Sequence, residues 1–161
     1  MNEYRSGIGI DVHQLSPDSD LVLGGVHIKH PSGLEGHSDG DVLIHSLIDA
    51  ILGSLSLGDI GQHFPSSDES LKGISSIAML KQINEVAEST DWQVSHVDAT
   101  IIAQEPKLSN YVNEMRNNII KTLKLNIDQL NIKCTTTDYL GFIGAEKGIA
   151  SVTIVTICRS I

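Results

Sequence analysis

The sequence predicts an α+β sandwich: a mixed β-sheet of about four main strands, helices packed on one face, and a small β-hairpin beside it. Two observations carry that expectation. Three stretches place apolar residues at helical spacing, while β-branched residues crowd into separate short runs. Those elements follow one another with no internal repeat and no linker, so residues 1–161 are expected to form a single domain.

Ser6–Val12 reads as a strand running into His13. Leu21–Ile28 holds two short apolar runs around Gly24-Gly25, as a hairpin would. Residues 30–40 are rich in turn formers and read as a loop. Asp41–Leu55 carries Val42, Leu47, Ile48, Ile51 and Leu55 at helical spacing, with Ser38 or Asp39 as the expected N-cap. Gly58–Gly73 has Pro65, several serines and little periodicity, which predicts a long functional or mobile loop. Ser76–Ser89 is a second helix, with Ile77, Leu80, Ile83 and Ala87 on one face. Gln93–Ala103 is a β-branched strand, and Ser109–Leu123 is a third helix striped by Val112, Met115, Ile119 and Leu123. Leu130–Thr136 and Ile149–Cys158 complete the sheet, the second as a central strand.

Composition excludes several classes. A formal net charge of −9 argues against nucleic acid or an anionic membrane as partner, though not against a small phosphorylated substrate whose site is neutralised by a bound cation. No stretch approaches the ~18 apolar residues of a membrane span, and the N-terminus lacks the apolar run of a signal peptide. A cytoplasmic location is therefore expected. Cys134 and Cys158 form no CxxC pair; both are expected to be buried and reduced.

Chemistry concentrates in two places. Asp11 and His13 stand at i and i+2, which on a strand puts a carboxylate and an imidazole on one face. Asp41, His45 and Asp49 stand at i, i+4 and i+8, so they share one face of the first helix. A solvated helix face usually carries Lys, Arg, Glu and Gln; this one holds only Asp and His, the ligand and acid–base types. Two histidines and one carboxylate would leave a fourth tetrahedral position open, as in catalytic zinc sites. Spacing alone does not say which of the seven histidines joins Asp11 and His13. His27, His30, His63 and His96 lack an acidic setting and read as surface or loop residues.

The motifs DVH at 11–13, GGV at 24–26, HSDGDVLIH at 37–45, LGDIG at 57–61, TIIAQEPK at 100–107 and TTTDYLGFIG at 135–144 run in register along the chain. In them the chain resembles the 2-C-methyl-D-erythritol 2,4-cyclodiphosphate synthases of the non-mevalonate isoprenoid pathway. The resemblance implies conversion of 4-diphosphocytidyl-2-C-methyl-D-erythritol 2-phosphate to the cyclic diphosphate plus CMP, by attack of the 2-phosphate on the β-phosphorus. It implies one zinc per subunit on Asp11, His13 and His45, and a magnesium or manganese ion with the substrate, reached by Asp138. His37, Thr136 and Asp138 become the implied catalytic side chains. His37 and Ser38 would hold phosphate oxygens, Asp49 a methylerythritol hydroxyl, and Asp59 and Gly61 the ribose. Ala103, Lys107, Leu108, Thr135 and Thr136 would form the cytidine and diphosphate end, with Asp68 and Phe142 also on the substrate. Asp41 would orient a zinc-bound histidine. The family's active sites lie at the subunit interfaces of a homotrimer.

Four positions depart from the commonest family pattern. Asp138 stands where Glu is usual, with a shorter reach to a cation. Ser66 stands where an acid is common; either Asp68, two residues on, substitutes in the loop or a substrate hydroxyl contact is lost. On the implied trimer axis Ala145 stands where Arg is usual, which puts binding of an isoprenoid diphosphate there in doubt, and Lys147 stands where Glu is common and could replace the positive charge. The rival readings are a zinc-dependent phosphoester hydrolase and a non-catalytic trimer with a structural metal.

Overall fold

The computed structural model describes residues 1–161. Its strands are β1 (Asn2–Ser16), β2 (Leu21–Leu23), β3 (Val26–Ile28), β4 (Gly33–Leu34), β5 (Gln93–Ile102), β6 (Leu130–Thr135) and β7 (Gly148–Ser160). Its helices are α1 (Val42–Leu55), α2 (Ile60–His63), α3 (Ser76–Ser89), α4 (Val112–Leu123) and α5 (Gly141–Gly144). The main sheet has the order β4-β1-β7-β5-β6. It is mixed: β5 and β6 run parallel, while β1 pairs antiparallel with β7, and β7 with β5. β2 and β3 form the separate hairpin.

The helices cover one face only. α1 lies directly on β1, and glycine makes that possible. A Cβ at Gly9 would sit 1.9 Å from the Ser46 carbonyl oxygen, and one at Gly7 2.0 Å from that of Ala50. Since Ser46 lies over Gly9 and Ala50 over Gly7, the helix runs opposite to the strand. His45 is thereby carried toward Asp11 by the close packing of two backbones.

Several boundaries differ from the sequence expectation for local reasons. β1 continues to Ser16 because Leu15 and Ser16 pair with β4, a short strand inside the stretch read as loop. The N-cap of α1 is Asp41 itself, whose carboxylate accepts from the Ile44 amide at 3.1 Å; neither Ser38 nor Asp39 plays that part. α1 is buried nearly all round, held between the sheet and α3, so its polar residues face the interior rather than solvent. Residues 58–73 contain α2 and a 3-10 turn at Glu69–Leu71. α4 begins at Val112 because residues 108–111 close a turn, with Tyr111 N–H donating to the Leu108 carbonyl at 2.9 Å. α5 has no periodic signal in four residues. Cys134 is exposed rather than buried, and Cys158 is half-buried. No helix is long and apolar enough to cross a membrane.

Candidate metal centre and active-site cavity

Alternation along β1 turns Asp11 and His13 to the helix-covered side, where His45 arrives from the first turn of α1. Asp11 Oδ2 stands 3.0 Å from His13 Nε2 and 3.2 Å from His45 Nδ1. One nitrogen or oxygen from each residue falls within a 4.8 Å cluster. Each imidazole is aimed by its other nitrogen. His13 Nδ1–H donates to the Glu35 carbonyl, and His45 Nε2 shares a hydrogen bond with Ser38 Oγ at 2.9 Å. These two bonds orient the rings so that the second nitrogen of each, His13 Nε2 and His45 Nδ1, faces Asp11.

The electrostatics follow from that geometry. Burial pushes the Asp11 carboxyl up, but hydrogen bonds from His13 and His45 outweigh it and hold the carboxyl below the usual carboxylate range. The hydrogen bond to Asp11 raises His13 against the opposing effect of burial. The donor set is two imidazoles and a carboxylate with oriented rings, open toward a cavity of about 240 Å³. It fits an open, three-ligand divalent-cation site.

His37, Ser38, Gly61 and Asp68 line that cavity together with the three ligand residues, Ile60, Phe64, Ser66 and Lys72. Asp49 lies beside it and is partly engaged: Oδ1 accepts from the Ile60 amide at 2.7 Å, which ties α1 to the start of α2. Burial raises the Asp49 carboxyl. Asp59 caps α2, accepting from the Gln62 amide at 3.1 Å.

The other anticipated residues gather elsewhere. The Ala103 amide donates to the Thr135 carbonyl at 3.0 Å at the β5–β6 edge. Leu108 is buried behind that edge, and Lys107 is exposed. Asp138 is held in the left-handed region at φ +50° by Thr136, whose Oγ1 donates to Asp138 Oδ1 at 3.3 Å. Phe142, Ala145 and Lys147 are exposed in or just after α5. None of these residues lines the metal-side cavity. β7 and β5 intervene between β1 and β6, a span of roughly 14 Å at ordinary strand spacing.

Asp41 requires a correction. Its carboxylate accepts from the amides of Gly24, Gly25 and Ile44 and from Ser76 Oγ, at 2.8–3.1 Å, and from no histidine ring. It ties the hairpin, α1 and the start of α3 together. Burial pushes its carboxyl up.

Sequence reasoning also missed two contributors. The Glu35 carbonyl is a backbone group and leaves no residue signal. Lys72 did leave one, as the only cationic side chain between positions 58 and 73.

The sequence model of the YgbB family matches residues 4–158. The chain is 51% identical over 150 residues to the 2-C-methyl-D-erythritol 2,4-cyclodiphosphate synthase of Clostridioides difficile (strain 630), covering 93% of each chain. It is 47% identical over 156 residues to the protein of that name from Alkaliphilus oremlandii (strain OhILAs), covering 97% of this chain and 99% of that one. Among solved structures, the bifunctional IspDF from Campylobacter jejuni aligns with TM-score 0.94 and 41% identity over 99% of this chain and 43% of its own. IspF of Plasmodium falciparum, solved as a CDP complex, aligns with TM-score 0.86 and 32% identity over 100% of this chain and 99% of its own.

Proposed function

The chain belongs to the YgbB family, as a phosphorus–oxygen lyase of isoprenoid biosynthesis, and on that premise we propose its reaction and the residues that perform it. The substrate is 4-diphosphocytidyl-2-C-methyl-D-erythritol 2-phosphate. An oxygen of its 2-phosphate forms a bond to the β-phosphorus. The bond from that phosphorus to the α–β bridging oxygen breaks, and CMP leaves with the electron pair. The observation that carries the reading is the convergence of Asp11, His13 and His45 on one cavity.

Asp11, His13 and His45 would hold zinc, which mixed nitrogen and oxygen ligation favours. Bound there, zinc supplies Lewis-acid polarisation of a β-phosphate oxygen. Asp138 would hold magnesium or manganese on the diphosphate, with Thr136 bracing its carboxylate. His37 and Ser38 bind phosphate oxygens from the cavity wall, and Ser38 also keeps His45 turned toward Asp11. Asp49 takes a methylerythritol hydroxyl, while Asp59 and Gly61 meet the ribose. Ala103, Lys107, Leu108 and Thr135 receive the cytidine end; the CDP complex of the Plasmodium falciparum relative supports a cytidine nucleotide as ligand. Little covalent work remains for side chains, because positioning and charge neutralisation carry phosphoryl transfer.

The two halves of this site share no cavity within one chain, and a homotrimer would bring them together across subunits. A second observation favours assembly. The uncovered face of the sheet presents Ile8, Ile10, Val12 and Ile154 beside one another, and Tyr4 beyond the Ser6–Thr156 pair, each about half exposed. Sedimentation should give three chains per particle, and Ile10→Asp should dissociate it.

The deciding experiment incubates the protein with substrate, zinc and magnesium and follows phosphorus NMR. CMP and the cyclic diphosphate are expected. No CMP ends the proposal, and CMP with a linear phosphorylated product points instead to a zinc hydrolase. Unfolding on chelation would favour a structural metal.

A further inference from the structure

We propose that Lys72 binds the 2-phosphate nucleophile of the substrate, a role that rests on the reaction given above. Lys72 is the only Lys or Arg on the wall of the metal-side cavity, whose other full charges are the carboxylates of Asp11 and Asp68. The whole chain is strongly acidic, at −9. A substrate with a phosphomonoester and a diphosphate therefore meets one fixed side-chain cation on this side.

That cation is uncommitted. Three other lysines are taken: Lys124 pairs with Glu88 at 2.8 Å, Lys133 with Asp98 at 2.6 Å, and Lys81 lies 4.0 Å from Glu85. Lys72 joins no ion pair, and the nearby Asp68 carboxylate is occupied with the Ser70 amide and hydroxyl at 3.0 and 2.6 Å.

Its backbone is fixed against the site. The Gly73 amide donates to the His37 carbonyl at 2.9 Å, and the Lys72 amide donates to Glu69 at 3.3 Å. Gly73 at φ +71° turns the chain there, a conformation that favours glycine. A second, open cleft is lined by Glu35, Gly36, His37, Ser38, Lys72 and Gly73. It shares His37, Ser38 and Lys72 with the metal-side cavity, so Lys72 lies where the two meet.

The chemistry asks for a cation in this place. The attacking phosphate and the diphosphate repel each other, and the metals serve the diphosphate. A separate cation on the attacking group lowers that repulsion without drawing the nucleophile onto the electrophile's metal. The compact ammonium of lysine does this as a point charge.

The test compares Lys72→Ala and Lys72→Arg with the unsubstituted protein. It measures kcat/KM by CMP release and the inhibition constant of 4-diphosphocytidyl-2-C-methyl-D-erythritol, the substrate without its 2-phosphate. Lys72→Ala should lower kcat/KM by about tenfold or more. The inhibition constant should stay within about twofold, because the lost contact is to the group the inhibitor lacks. Lys72→Arg should recover part of the loss. A fall smaller than tenfold overturns the inference, and so does a parallel loss of inhibitor affinity, which would mark Lys72 as part of the scaffold. An unsubstituted protein that releases no CMP sinks the reaction and this inference together. An active one indifferent to Lys72→Ala sinks the inference alone.

Discussion

Asp11 and Asp41 stand at the two ends of one argument about buried carboxylates. Asp41 is fully buried and receives four hydrogen bonds from three separate segments. Asp11 is half-buried, meets only two histidines, and opens on a cavity. Burial pushes both carboxyls up, yet Asp41 ends above its ordinary range and Asp11 below it. Three things differ: Asp41 is more deeply buried, it has the Asp39 charge beside it, and its donors are neutral amides and a hydroxyl where Asp11 has imidazoles that can carry charge. A saturated carboxylate holds elements together; one with coordination to spare can take a cation.

The contrast breaks most directly at His45. His45→Ala should lower turnover by about three orders of magnitude, since it removes a proposed ligand and with it the ion that would polarise the phosphate. Zinc content by elemental analysis should fall to background while the far-UV spectrum and the particle mass stay unchanged. A dissociated or unfolded variant would make the metal structural. The reciprocal change is Asp41→Ala. It orphans the amides of Gly24, Gly25 and Ile44 and the Ser76 hydroxyl, and should cost about 3 kcal/mol of stability in denaturant. Protein concentration must be held fixed in that comparison, because assembly shifts apparent stability. The folded fraction of this variant should still bind zinc; loss of zinc at full folding would return Asp41 to the metal's support.

The two carboxylates also mark where sequence reading reaches and where it stops. Asp11 and His13 were legible because period two is a property of any strand. The registration of His45 over Asp11 was not, because it depends on Gly7 and Gly9 admitting α1 against β1, a tertiary fact with no periodic trace. Motif resemblance supplied that third ligand before any geometry did. Asp41 misled for a related reason. Its i, i+4 spacing with His45 is real, but a helix N-cap points its carboxylate back at free amides rather than along the face. The long elements were legible from their stripes. Strand β4 has two residues and α5 has four, too few for either period to register.

A finer test separates the carboxylate from what aims its partners. Ser38 hydrogen-bonds His45 Nε2 and would act on a bound ion through the ring alone. Ser38→Ala should weaken zinc by about 10- to 100-fold in competition with a fluorescent chelator. Ser38→Thr, which restores the hydroxyl, should recover most of the affinity. Equal loss in both variants would assign the effect to cavity shape rather than to the hydrogen bond.

The smallest effect is a pH dependence, with a sign the two residues determine. In chelated protein, Asp11 lies below its unfolded value, so its contribution is present above roughly pH 4 and is lost as pH falls further. His13 lies above its unfolded value, so its contribution is complete below roughly pH 6.5 and is lost as pH rises through the folded value. Raising the pH from 6 to 8 therefore weakens the metal-free cluster. Zinc bound there would reverse the trend, because only a neutral imidazole is a ligand and binding improves as the proton leaves. The gap in Tm between zinc-saturated and chelated protein should accordingly widen from pH 6 to pH 8. Scanning fluorimetry at fixed ionic strength and protein concentration measures it. His13→Gln should flatten the widening, since it removes the raised imidazole and one ligand together. A gap that narrows with rising pH would mean that His13 is not exchanging its proton for the metal.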